Sequence, residues 1–240
     1  MTTTSTSTNH TTLLKSQLER EGRRYLHKLE GSDSIPHQKL LQVQQQANNN
    51  CRDVLSAVVP GDILADVFIK AAERNHIDIL QFFVDNGVNV NIKDRFGWTA
   101  FRHLCMKDHE ESARLLLNHA RAHANIDEND VGDVNVVDVD SQANHGDTVL
   151  MGVSSNGLTK FVTLLLLEEN ANVDIQDQSG HTALMCASQH GHADIVALLL
   201  LRNADTQLQN EFGETAFDIA KTSAIKDMLS NHVNSHYLLK

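Results

Sequence analysis

Gly180-His181-Thr182-Ala183-Leu184-Met185 is the stretch on which the reading of the fold turns, because its pattern returns three more times along the chain. Its counterparts are Gly97-Trp98-Thr99-Ala100-Phe101-Arg102, Gly146-Asp147-Thr148-Val149-Leu150-Met151 and Gly213-Glu214-Thr215-Ala216-Phe217-Asp218. The four glycines are spaced by 49, 34 and 33 residues. A second string, Gly191-His192-Ala193-Asp194, is matched by Gly157-Leu158-Thr159-Lys160, by Asp108-His109-Glu110-Glu111 and by Asn75-His76-Ile77-Asp78, and His76 and His109 stand 33 residues apart. Two anchors sharing one period define a tandem repeat, in which neighbouring units cover the apolar face that a single unit cannot bury alone.

Inside a unit the apolar residues fall at helical spacing, Leu184 and Ala187 on a first helix, then Ile195, Val196, Leu198 and Leu199 on a second. Thr99, Thr148, Thr182 and Thr215 sit where an N-cap hydroxyl can accept from orphan backbone N–H groups. Gly87, Asn170 and Asn203 stand where the second helix must close, and all tolerate a left-handed backbone. These residues resemble the ankyrin repeat, and the unit from Asp177 to Asn210 matches it best through Gly180, Thr182, Leu184, Ala187, Gly191-His192, Asp194-Ile195-Val196, Leu198-Leu199-Leu200 and Ala204-Asp205. The resemblance spans residues 61–230 and implies an all-α solenoid of paired antiparallel helices joined by β-hairpin-like loops, with about five units. The units are expected at 61–93, 94–126, 143–176, 177–209 and 210–230, with an acidic insertion at 127–142 absorbing the spacing of 49 and a tail at 231–240. The family's Pro is replaced by Ala100, Val149, Ala183 and Ala216, and its His by Arg102, Met151, Met185 and Asp218, so the first turns are expected to be looser and their loop network less regular.

Composition agrees with a helical chain: aromatic residues make up 5% and prolines number two, so packing must run through Leu, Val, Ile and Ala. The first twelve residues are polar and lack the basic and apolar segments of a signal peptide, and no apolar run is long enough to cross a bilayer, so a soluble cytoplasmic or nuclear protein without membrane insertion is expected. Three scattered cysteines, Cys51, Cys105 and Cys186, point to free thiols in a reducing compartment. Residues 1–60 carry seven Lys or Arg against five Asp or Glu, which leaves a net of −13 of the total −11 on residues 61–240. So acidic a domain repels a phosphate backbone and suits a partner protein with a basic surface, with nucleic acid set aside. A monomer is expected.

Ahead of the repeats, residues 1–12 form a Thr/Ser-rich tail expected to stay disordered. Residues 13–60 are expected to be a helical extension: Leu14, Leu18, Tyr25 and Leu29 make one stripe, interrupted by Gly22. Two roles stay open for it, a cap on the first unit or a separate partner-binding helix.

Residues that could carry chemistry are better placed by the repeat register. Fourteen histidines invite a metal, with His119 and His123 or His190 and His192 as pairs, but His76, His109 and His192 share one structural slot at the start of the second helix, and His119 and His123, set in an irregular turn, lack the Glu of a His-Glu-x-x-His motif. The insertion contains Asp127, Glu128, Asp130, Asp133, Asp138 and Asp140 and no Lys or Arg. Read as a calcium loop it fails at Val131, where an oxygen is needed, and at Asp138, which replaces a bidentate Glu, so an acidic surface loop is expected, with a metal- or calcium-dependent sensor as the alternative. No nucleophile–base arrangement or phosphate-binding loop is present, Cys105 fills a small-residue slot, and neither enzyme activity, a cofactor nor a metal is expected. An effector delivered into another cell is a further alternative.

What remains is protein binding. The family's variable slots lie at the hairpin tips and on the inner helix: Arg95, Phe96, Trp98, Met106 and Lys107 in the second unit; Asp147, Ser155 and Asn156 in the third; Gln178, Ser179, His181, Gln189 and His190 in the fourth; Glu211, Phe212 and Glu214 in the fifth. The resemblance implies an adaptor, scaffold or inhibitor holding its partner on the concave face through these side chains. Trp98 leads them, since Trp is over-represented among binding hot spots; packing against the neighbouring hairpin is its other reading.

Overall fold

The structure, a computed structural model, describes residues 61–85, 88–123 and 136–238. The tail at 1–12, the extension at 13–60, Gly87 and the insertion's Asp127, Glu128, Asp130, Val131 and Asp133 lie outside them. The described part is built from helix pairs: α1 (Gly61–Glu73) with α2 (Ile77–Asp85), α3 (Ala100–Met106) with α4 (Glu110–His123), α5 (Val149–Ser155) with α6 (Thr159–Thr163), α7 (Ala183–His190) with α8 (Ala193–Leu201), and a last helix α9 (Ser223–Leu238). Among the described residues extended pairing is limited to the isolated bridge between Lys93 and Thr99. The described residues are all-α, in paired helices, as the resemblance implies.

The described residues divide into two units. The first takes those up to Asp94, together with Thr99–Leu104 and Glu111–Val137. In it α1 packs on α2, with Phe68 edge-on to Phe83 at 6.0 Å and the small Ala71 and Ala72 fully buried, as close helix approach requires. His103 is buried between two carboxylates, its Nε2 3.0 Å from Asp94 and its Nδ1 3.4 Å from Glu73. The Ser112 hydroxyl donates to Asn75 at 2.5 Å. His119 and His123 fall within α4, not in an irregular turn: the run of helix formers from Glu110 extends the helix past the length typical of the repeat.

The second unit comprises Arg95–Trp98, Cys105–Glu110 and the described residues from Asp138. Here α5 packs on α7, α7 on α8, and α8 on both α6 and α9. Thr148 and Thr182 have extended backbones and accept from the N–H groups of Met151 and Met185 at 3.3 and 3.2 Å, which makes them N-caps. Asn170 and Asn203 take left-handed backbones at φ 54° and 58°, ending the second helices. Thr215 departs from the expectation: its hydroxyl donates to Asp218 at 2.7 Å, and Ala216–Ile219 form turns with no first helix. The last unit is therefore a hairpin followed by α9, which runs to Leu238 and past the boundary expected at 230.

A spacing of 34 instead of 33 has a physical outcome. Leu164–Glu168 form a π-helical turn after α6, so the one extra residue between Thr159 and Asn170, relative to Ala193 and Asn203, is absorbed inside the second helix and the next hairpin keeps its register. The insertion, too, is narrower than expected. Asp138 and Asp140 belong to the repeat: Asp138 accepts from the N–H two residues on, as Asn172 and Asp205 do, and Asp140 accepts from Asn172 N as Asp174 does from Asp205 N.

In the second unit the buried hydroxyls of Ser154 and Ser188 have no hydrogen-bond partner. Both stand in a small-residue slot on the first helix, where size is required and polarity is not. Ser154→Ala and Ser188→Ala are each expected to raise stability by up to about 1 kcal/mol, because a desolvated hydroxyl is removed without leaving a cavity. Urea unfolding followed by helical circular dichroism measures it, and a loss beyond 1 kcal/mol in either variant contradicts the assignment.

Candidate protein-binding surface

The hairpin tips of the second unit are built by short local bonds. Asp177 N–H donates to His181 O at 3.0 Å while its carboxylate accepts from the N–H groups of Ser179 and His181 at 2.9 and 2.8 Å. Asn210 repeats the device, accepting from Phe212 and Glu214 at 3.0 and 2.9 Å. The tips are then joined to one another. Asn144 N–H donates to Phe96 O at 3.0 Å and its amide to Arg95 O at 2.8 Å; Gln178 N–H donates to His145 O at 3.0 Å and its amide to Asn144 O at 2.9 Å; Glu211 N–H donates to Ser179 O at 2.8 Å. Beneath them Gln142 and Gln176 each bridge two carbonyls, so the loops are more regular than the missing family Pro and His led one to expect.

Every tip residue singled out in the sequence lies in this row. Arg95, Gln178, Glu211 and Glu214 are exposed, Trp98, Asp147, Ser179 and His181 half-buried. Phe96 is 50% exposed and Phe212 73%, unusual for phenylalanine. Trp98 lies 5.9 Å from the Phe96 ring within its own tip, and the Arg95 guanidinium sits 4.6 Å above that ring. Met106 ends α3 half-buried, Lys107 follows it exposed, and Gln189 and His190 are exposed near the end of α7. Ser155 Oγ stands 3.3 Å from His190, and Asn156 caps α5 by donating to Gly152 O at 2.9 Å. Asn144 and His145 were missed as members of the row. Their signal was available: they stand 34 residues before Gln178 and Ser179.

The shifted titrations of the second unit each have a local cause. Burial, with Asp177 and Asp147 adding to it, pushes the Cys186 thiol up to about 12, so it stays protonated and a poor nucleophile. The hydrogen bond from Thr159, 2.5 Å long, holds Asp194 below the usual carboxylate range, and Thr215 does the same for Asp218. The salt bridge to Asp108 at 2.8 Å raises Lys160. His192 turns its ring over Gly157 and places Nε2 3.1 Å from Ser155 O, a structural role. Among the described residues no three His, Cys, Asp or Glu side chains gather as metal ligands, and no helix is long and apolar enough to cross a membrane.

Capped helix pairs, repeated and bonded tip to tip, with exposed side chains on the tips, define a tandem-repeat scaffold for protein binding. Two sequence descriptions of ankyrin repeats match the chain, one of three copies over residues 133–210 and one of many copies over residues 68–117, together more than half of it; the chain belongs to the ankyrin-repeat family. It is 29% identical over 141 residues to the ankyrin repeat, SAM and basic leucine zipper domain-containing protein 1 of Eulemur macaco macaco, a match covering 59% of this chain and 27% of that protein. It is 38% identical over 95 residues to the mouse ankyrin repeat and SAM domain-containing protein 6, covering 39% and 10%. An ankyrin repeat protein of Fowlpox virus (strain NVSL) is 24% identical over 148 residues, covering 62% and 31%. The matches span under a third of the length of these relatives. Ankyrin repeats are general protein–protein interaction modules, and the family is typically non-enzymatic.

Proposed function

We propose that the chain is a non-enzymatic adaptor, scaffold or inhibitor that holds a partner protein on its hairpin tips and the adjoining ends of its first helices. The observation that carries this reading is the tip row itself. Its backbone is tied from repeat to repeat, so little order has to be gained on binding, and Phe96, 50% exposed, Phe212, 73% exposed, and the exposed Arg95 offer aromatic and guanidinium anchors, with the half-buried Trp98 beside them. The net of −13 on residues 61–240 favours a partner with a basic surface and a salt-dependent association rate. A double Arg95→Ala, Trp98→Ala variant is expected to lose at least about tenfold in partner capture, given the weight of Trp and Arg among hot spots, with an unchanged helical circular dichroism spectrum. Undiminished capture by that variant would move the site away from the tips, with residues 13–60 next in line.

A further inference from the structure

The tip row ends in opposite charges, Arg95 and Glu211, each followed by an exposed phenylalanine, Phe96 and Phe212, and from this we propose that its occupant is a second copy of the chain, set antiparallel across a two-fold axis. The inference rests on the reading of the tips as a binding surface and goes beyond it: the domain's net charge suits a basic foreign partner, whereas the local pattern at the two ends of the row suits a second copy, whose pairing must outweigh the repulsion between two acidic chains. The fold sets four loops side by side that the chain keeps 33 to 49 residues apart, and it does so in one register, residue for residue. One end carries Arg95 and Phe96; the other, at the same two positions of its loop, carries Glu211 and Phe212. Turned end over end, the row meets itself with the outer tips exchanged.

Two of the pairings this creates carry the proposal, one ionic and one apolar. Arg95 faces Glu211 of the second copy, and both are exposed on the present surface. Phe96 faces Phe212 of the second copy, which covers the two most exposed aromatic side chains of the row, 50% and 73%. At the inner tips Asp147 faces His181 of the second copy, while the amides of Asn144 and Gln178 stay in their tip-to-tip bonds. Because the axis is two-fold, every pair forms twice, as an isologous interface requires. The sequence read by itself gives no reason to look for a second copy, since these partners are far apart along it; the juxtaposition exists only once the repeats are stacked. The interface is narrow, a line of loops, so it belongs to the small and reversible class.

The test is sedimentation velocity of the full chain across a hundredfold concentration range, on the native sequence and on charge reversals. Both exposed side chains lie outside the tip-to-tip bonds, which use the Arg95 carbonyl and the Glu211 N–H, so circular dichroism is expected to be unchanged in the variants. The native chain is expected to move from monomer to dimer. Arg95→Glu and Glu211→Arg each place like charges opposite one another twice and are expected to weaken the dimer at least about tenfold. An equimolar mixture of the two variants restores both ion pairs and is expected to dimerise as the native chain does. A native chain that stays monomeric overturns the proposal, as does a dimer indifferent to the reversals or a mixture that fails to recover. The capture experiment with Arg95→Ala, Trp98→Ala is independent of these results: loss of a foreign partner in that variant beside a monomeric native chain would leave the binding surface standing and remove only its self-pairing.

Discussion

Phe161→Ala is expected to lower stability by about 3 to 5 kcal/mol, the range for truncating a fully buried aromatic side chain. Phe161 is entirely shielded from solvent in α6, the helix that packs on both α5 and α8, so the space it leaves is lined by rigid neighbours on two sides and closes poorly. In a chain whose stability is nearly a sum over repeats and the interfaces between them, a loss of that size is concentrated in one unit, and domains of this kind have only about 5 to 15 kcal/mol in all. Urea unfolding monitored by helical circular dichroism is expected to show an earlier and broader transition as the third unit melts ahead of the others. Leu201→Ala is the control: that leucine is 71% exposed on α8, and the change is expected to stay within about 0.5 kcal/mol. A Phe161→Ala variant within 1 kcal/mol of the native chain contradicts the core described above.

Gly180→Ala is expected to cost about 2 to 5 kcal/mol from two separable sources. Gly180 has φ +79°, a left-handed backbone that costs an L-residue roughly 1 to 2 kcal/mol. A Cβ there would also stand 2.9 Å from Asn210 Cα and 3.1 Å from Gln209 O, both backbone atoms of the next hairpin that cannot swing away, adding roughly 1 to 3 kcal/mol of overpacking. Gly213 separates the two. It has φ +75° and nothing within 4 Å of its Cβ position, so Gly213→Ala is expected to show the backbone penalty alone. Equal losses at the two glycines would mean that the tips do not approach as closely as the bond from Glu211 N–H to Ser179 O requires. Since Gly180 lies in the tip row, the same variant should weaken partner capture, by moving the anchors apart.

Much of the fold was legible because a repeat reports its own register. Thr148 and Thr182 were readable as N-caps and Asn170 and Asn203 as helix ends, since each depends on one residue's local chemistry. Local patterns misled at three places, for different reasons. Thr215 has the same sequence surroundings as Thr182, yet with Asp218 three residues on its hydroxyl finds a carboxylate and no helix follows. Asp138 and Asp140 read as two more charges of an acidic insertion because composition does not show that Asp140 accepts from a backbone N–H 32 residues away. His119 and His123 lie in α4 because helix formers carry that helix on from Glu110, a local cause that the expected turn overlooked.

What the sequence determined by itself, then, is the unit: its period, its capping residues, the small-residue slots that set how closely helices approach, and the variable positions left over from packing. Only the tertiary structure decided how those leftover positions combine. Hydrogen bonds from Asn144 to Phe96, Gln178 to His145 and Glu211 to Ser179 carry loops from four repeats into one line, adding Asn144 and His145 to it and setting Arg95 and Glu211 at its two ends. The physical reason is range: caps and helical periodicity act within a few residues and can be read locally, whereas a surface is made by the stacking of units and exists only after each has buried its apolar face against the next.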